Sequence, residues 1–93
     1  MHLCVIHVDL MVKGARGLKD KRAVIKSLKD RLRRKFNVSV AETGKLNKWQ
    51  AAELSLACLS NDRRHLSRET DRVIAFVEAH AGLLILDHSV EFL

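Results

Sequence analysis

The chain contains no proline and no tyrosine, and its 93 residues include only four aromatic side chains, three Phe and one Trp. Without proline, and without any repeat or low-complexity tract, nothing marks a linker between two folding units. So few rings argue against recognition by stacking across a broad surface. Cysteine is equally scarce. Cys4 and Cys58 lie in apolar alternating stretches with no C-x-x-C spacing, so they are expected to be reduced thiols of a cytosolic core. Zinc through Cys4, Cys58 and a nearby His is conceivable, since His2 shares the strand face of Cys4, but the spacing matches no ligand motif and no metal is expected. The longest apolar run covers residues 81–86, too short to cross a bilayer. No secretory signal leads the chain, and a cytoplasmic location without membrane contact is expected. Neither a Walker motif nor a G-x-G-x-x-G fingerprint is present, and no cofactor is expected.

What remains is an ordinary globular composition, 47% hydrophobic and 30% charged, in a chain sized for a single domain spanning residues 1–93. A chain this short buries only about 60–65% of the surface it exposes when unfolded, so most of its apolar residues must serve the core. The net charge is +6, and its placement is uneven. Residues 13–35 hold eleven basic and two acidic side chains, while the rest of the chain is mildly acidic. Such segregation favours a polyanion or an acidic partner.

Hydropathy alternates with a period of two over residues 2–10, with Cys4, Ile6, Val8 and Leu10 on one side and His7 and Asp9 on the other. That is a strand. After Gly14 and Gly17 the period becomes helical over residues 18–36, along Val24, Ile25, Leu28, Leu32 and Phe36, with Gly17 as N-cap. A short strand over 37–43, a loop over 44–48 and a third strand over 49–60 follow. Ser60, Asn61 and Asp62 start a second helix along Leu66, Thr70, Val73, Ile74 and Val77, which Gly82 is expected to cap. Residues 83–93 form the last strand. The order β-α-β-β-α-β predicts an α+β, ferredoxin-like plait, with two helices on one face of a four-stranded antiparallel sheet. Right-handed crossovers give the strand order 4-1-3-2.

Three stretches carry a further likeness: Leu18-Lys19-Asp20-Lys21-Arg22, then Lys35-Phe36-Asn37-Val38-Ser39-Val40-Ala41-Glu42, then Trp49-Gln50 ahead of an alternating strand. Together they resemble the YlxP-like family, a bacterial family of unknown function and about this length, over nearly the whole chain. The resemblance implies a ferredoxin-like fold in a cytoplasmic bacterial protein. Members are often encoded beside translation and ribosome-maturation factors, which points towards RNA. The family supplies no catalytic residues to carry over. Gly17 departs from the Ser that usually precedes the Leu-Lys motif.

The sharpest functional signal is the first helix. At 100° per residue, Lys19, Arg22, Lys26, Lys29 and Arg33 share an arc of about 80° beside the apolar stripe. The row is expected to run without interleaved acids, Lys13 and Arg16 extend it at one end, and Arg34 and Lys35 extend it at the other. Cations spaced three and four apart can track a phosphate backbone. A solvated face whose long side chains cover the core edge is the plain alternative. The favoured reading is a non-enzymatic module that binds structured RNA or the ribosome through these seven residues. A second is a protein-interaction or homodimeric module, whose basic helix docks an acidic partner protein or whose open sheet face, where Leu3 and Val5 would lie bare, meets a second copy. A third is an acylphosphatase-like hydrolase using the loop Lys13-Gly14-Ala15-Arg16-Gly17, although that group's Arg-bearing loop motif is not recognisable here. The open face should present His7, Asp9, Glu53, Ser55, Asp87, Ser89 and Glu91 and no ring, which disfavours base recognition on the sheet. His7 among these carboxylates is expected to form surface ion pairs, His65 and His80 to be exposed, His88 to point into the core, and Trp49 to anchor packing at the loop edge.

Overall fold

A computed structural model describes residues 1–93. The elements run β1 (His2–Val12), α1 (Leu18–Lys35), β2 (Val38–Gly44), β3 (Ala51–Ser60), α2 (Arg63–Glu78) and β4 (Leu83–Phe92). The strands form one antiparallel sheet in the order β2-β3-β1-β4. This is the ferredoxin-like plait in the expected order. The two central strands bury one face completely: Cys4, Ile6, Val8, Leu10 and Val12 of β1, and Ala52, Leu54, Leu56 and Cys58 of β3. Against them lie Ile25, Leu28 and Leu32 of α1 and Leu66, Val73 and Val77 of α2, forming one core. Both helices therefore lie on the same side, because only one side of the strands is apolar enough to hold them.

β1 runs two residues beyond the expected end, since Met11 and Val12 keep the alternation and pair with Leu84 and Leu83. α2 opens as the sequence indicates. Asp62 accepts the Arg64 N–H at 2.9 Å and the His65 N–H at 3.3 Å, the usual work of an N-cap carboxylate. Its end differs from expectation. The helix stops at Glu78 with Ala79 as its C-cap, and Gly82, at φ +83°, serves the turn into β4 instead. The Gly82 carbonyl accepts the Lys13 N–H at 2.8 Å, joining that turn to the end of β1.

One side chain expected inside lies outside. His88 stands opposite Val8 on the helix side of β4 but is exposed, because β4 is an edge strand and no further strand flanks it. Trp49, expected at the loop edge, is 47% exposed in the loop before β3. His80, expected exposed, is half-buried, with Nδ1 near the Ala81 carbonyl at 3.0 Å and Nε2 buried without a partner.

Candidate nucleic-acid interface

The basic row on α1 exists because the apolar stripe fixes the rotation of the helix: with Ile25, Leu28 and Leu32 inward, Lys19, Arg22, Lys26 and Arg33 are exposed and Lys29 is half-buried. The charges differ in freedom. Lys19, Arg22 and Lys29 have no acidic partner, whereas Lys26 donates to Asp30 Oδ2 at 2.9 Å. Arg33 lies 3.7 Å from the other Asp30 oxygen and donates to the Val40 carbonyl at 3.0 Å. An acid therefore does interleave the row, contrary to the expected uninterrupted stripe, because Asp30 lies four residues after Lys26 and three before Arg33. The Lys26 hydrogen bond holds the Asp30 carboxyl below its ordinary range, against an opposing effect of burial, and the charges of Lys26, Arg33 and Arg34 act in the same direction as the bond. Lys35 also leaves the row. Its ammonium lies 5.1 Å from the Phe76 ring and 5.9 Å from the Phe36 ring, on the flank facing α2.

The loop leading into α1 already meets one negative charge of the protein itself. Gly17 is the N-cap and offers no side chain. The Asp20 carboxylate reaches back to accept the Arg16 N–H at 3.0 Å, so the protein supplies its own negative charge at the positive end of the helix. Lys13 and Arg16 remain exposed beside it.

Lys21 was not singled out from the sequence, yet it is the most unusual residue in the molecule. It is 0% exposed. Its ammonium donates to the carbonyls of Lys45 at 2.9 Å, Leu46 at 3.3 Å and Ala51 at 3.3 Å. Three acceptors use its three N–H bonds. Glu42 Oε2, 2.9 Å away, receives no directed hydrogen bond and compensates the charge by proximity. The signal was present: Lys21 lies four residues before Ile25 and seven before Leu28, on the apolar stripe, and Glu42 shares parity with the inward Val38 and Val40.

The open face carries the opposite sign. Asp87, Asp9 and Glu53 stand directly across from one another on β4, β1 and β3. His7 forms no ion pair there. Its Nδ1 lies 2.9 Å from Ser55 Oγ, which is 2.7 Å from Thr43 Oγ1. Leu3 and Val5 are on this face but half-buried, with Leu59 more exposed beside them. On the other side, a hollow of about 330 Å³ is lined in part by Asn37, Cys58, His65 and Glu69. Burial, then the neighbouring Cys4 and Glu69, pushes the Cys58 thiol up to about 11, so it is protonated at neutral pH and a poor nucleophile.

Comparison with known proteins agrees with the resemblance carried by the α1 and β2 motifs. A family model described as "Protein of unknown function (DUF503)" matches residues 3–90. The chain belongs to the DUF503 family. It is 37% identical over 71 residues to "Uncharacterized protein YlxP" of Bacillus subtilis (strain 168), covering 76% of this chain and 77% of that one. The fold is also similar to "De novo designed protein Foldit4", with a TM-score of 0.55 and 11% identity over 100% of this chain and 97% of the other, a likeness of fold alone. No helix of this DUF503 chain is long and apolar enough to cross a membrane.

Proposed function

We propose that the protein is a non-enzymatic module that binds structured RNA through the outward face of α1. The observation that carries this reading is the segregation of charge. Lys19, Arg22 and Lys29 stand without acidic partners on the helix side, continued by Lys13 and Arg16, whereas the acidic row Asp87-Asp9-Glu53 lies across the sheet. A polyanion is attracted to one side and repelled by the other. Contacts of this kind read phosphate rather than base identity. Fluorescence anisotropy with a structured ribosomal RNA fragment over a potassium chloride series tests it. Log K should fall linearly with log salt, and Lys19→Ala/Arg22→Ala/Lys29→Ala should flatten the slope by roughly 2–3. No binding by the wild type at low salt would defeat the reading.

A second reading has its own observation. β4 is an edge strand along which Leu84, Leu86 and Val90 are exposed, Leu86 at 57%. An apolar edge with unpaired backbone groups suits a protein partner or a second copy of the chain. Sedimentation equilibrium of the wild type and of Leu86→Lys would decide it, since a monomer at every concentration removes self-association.

A further inference from the structure

Three connections meet at one end of the molecule. The Val12 N–H donates to the Gln50 carbonyl at 2.9 Å and the Lys13 N–H to the Gly82 carbonyl at 2.8 Å, while Lys21, in the first turn of α1, holds the carbonyls of Lys45, Leu46 and Ala51. The loop over residues 45–50 is therefore clamped at both its ends by one buried ammonium. It also contains the only residue other than glycine with positive φ, Lys45 at +56°, and a tight turn in which the Lys48 N–H reaches the Lys45 carbonyl at 3.0 Å. Burying a charge and holding a lysine in the left-handed region both cost free energy. The side chains this loop presents are Leu46, Lys48 and Trp49, and all three are exposed. The Trp49 ring stacks on no other ring and lies beneath no cation of the protein.

We propose that this loop is a stacking platform for an unpaired RNA base, with the Trp49 ring against the base and Lys48 and Lys13 on the adjoining phosphates. The proposal rests on the RNA reading above and adds to it which part of the RNA is recognised. An exposed ring on a clamped loop, with cations beside it, is the arrangement that holds single strands, because every base has a stacking face. A protein hot spot would instead want charge depleted around the ring. Here Lys48 adjoins Trp49 in sequence, Lys45 is held 3.7 Å from Glu53, and Lys13 adjoins Val12, which is bonded to Gln50. The clamp also fixes the platform to the N-terminal turn of α1, so one RNA can lie along the helix and place a looped-out base on the ring.

Trp49 is the single tryptophan, so intrinsic emission reports this residue alone. The full chain is titrated with an RNA hairpin closed by unpaired uridines and with a blunt RNA duplex of equal phosphate number, following Trp49 emission and the anisotropy of the labelled RNA. The hairpin should quench emission by more than half and the duplex should not. Trp49→Ala should weaken hairpin binding about tenfold and leave duplex binding within about twofold, while Trp49→Phe keeps most of the hairpin affinity. Circular dichroism of each variant confirms that it is folded. Equal binding of both RNAs with unchanged emission would overturn the platform and leave the α1 reading standing. Absence of binding to either RNA would remove both. Quenching by polyglutamate but not by RNA would overturn the platform in favour of an acidic protein partner.

Discussion

At the scale of single residues, Lys21 shows how a buried charge is tolerated. A fully buried ammonium is tolerable only when its hydrogen bonds and its charge are both met, and here three carbonyls meet the first need and Glu42 the second. Lys21→Met should therefore cost about 3–5 kcal/mol in urea denaturation, because it leaves the half-buried Glu42 carboxylate uncompensated and takes the ammonium donor from three carbonyls. Adding Glu42→Gln should restore part of that loss, and a double variant no better than Lys21→Met would show that the ion pair is not the source of the cost. Cys58 makes a different prediction. Its thiol, raised to about 11, binds its proton more tightly in the fold than in the unfolded chain. The associated stability is fully present below about pH 9 and is lost as pH rises towards 11. Iodoacetamide at pH 8 should leave Cys58 unmodified in the native protein and label it once urea unfolds the chain; rapid native labelling would contradict its burial.

Within the elements, charge and capping act on two helices built differently. α1 has no side-chain N-cap and relies on Asp20, whereas α2 has Asp62 in the capping position. Asp62→Ala should cost about 1 kcal/mol by removing the acceptor of two otherwise unpaired N–H groups, measurable by thermal melting. In the middle of α1, Asp30 has a lowered pKa because Lys26 and Arg33 prefer it ionised. Its contribution is present above the ordinary carboxylate range and fades as pH falls through the depressed value. Asp30→Asn should abolish that acid limb of the helix melt. On the RNA reading it should also free Lys26 and Arg33 and strengthen binding a few-fold at low salt. Unchanged or weaker binding would mean that these two cations are not at the interface.

For the molecule as a whole, the plait turns a segregated sequence into a bipolar body. Residues 13–35 are basic, and the fold lays them across the helix side and one end, while the cross-strand register lines up Asp87, Asp9 and Glu53 on the other face. Like charges directly opposite one another oppose pairing, so neutralising Asp9 with Asp9→Asn should stabilise the sheet by some tenths of a kcal/mol, readable as a small rise in Tm. No gain would mean that solvent already screens the row.

Most of this architecture was legible because the two hydropathy periods are clean. Cys4 to Leu10 alternate, Ile25, Leu28 and Leu32 recur as a helix, and Asp62 stands where a helix must start. Those patterns determine the elements, their order and the side each turns to the core, since a slip of one residue in a strand would expose its whole apolar set. The rotation of α1 followed, and with it the exposure of Lys19, Arg22 and Lys26. The places of Lys21, His88 and Trp49 depended on contacts between elements distant in the chain. Lys21 lies on the apolar stripe like a leucine, but only the approach of the loop over 45–50 brings the three carbonyls that let a cation remain there. His88 has the inward parity of a core residue, yet nothing covers the edge of β4 where it stands. Periodicity determined which side a residue faces; tertiary structure decided what meets it there, because burial is a property of the neighbour as much as of the residue.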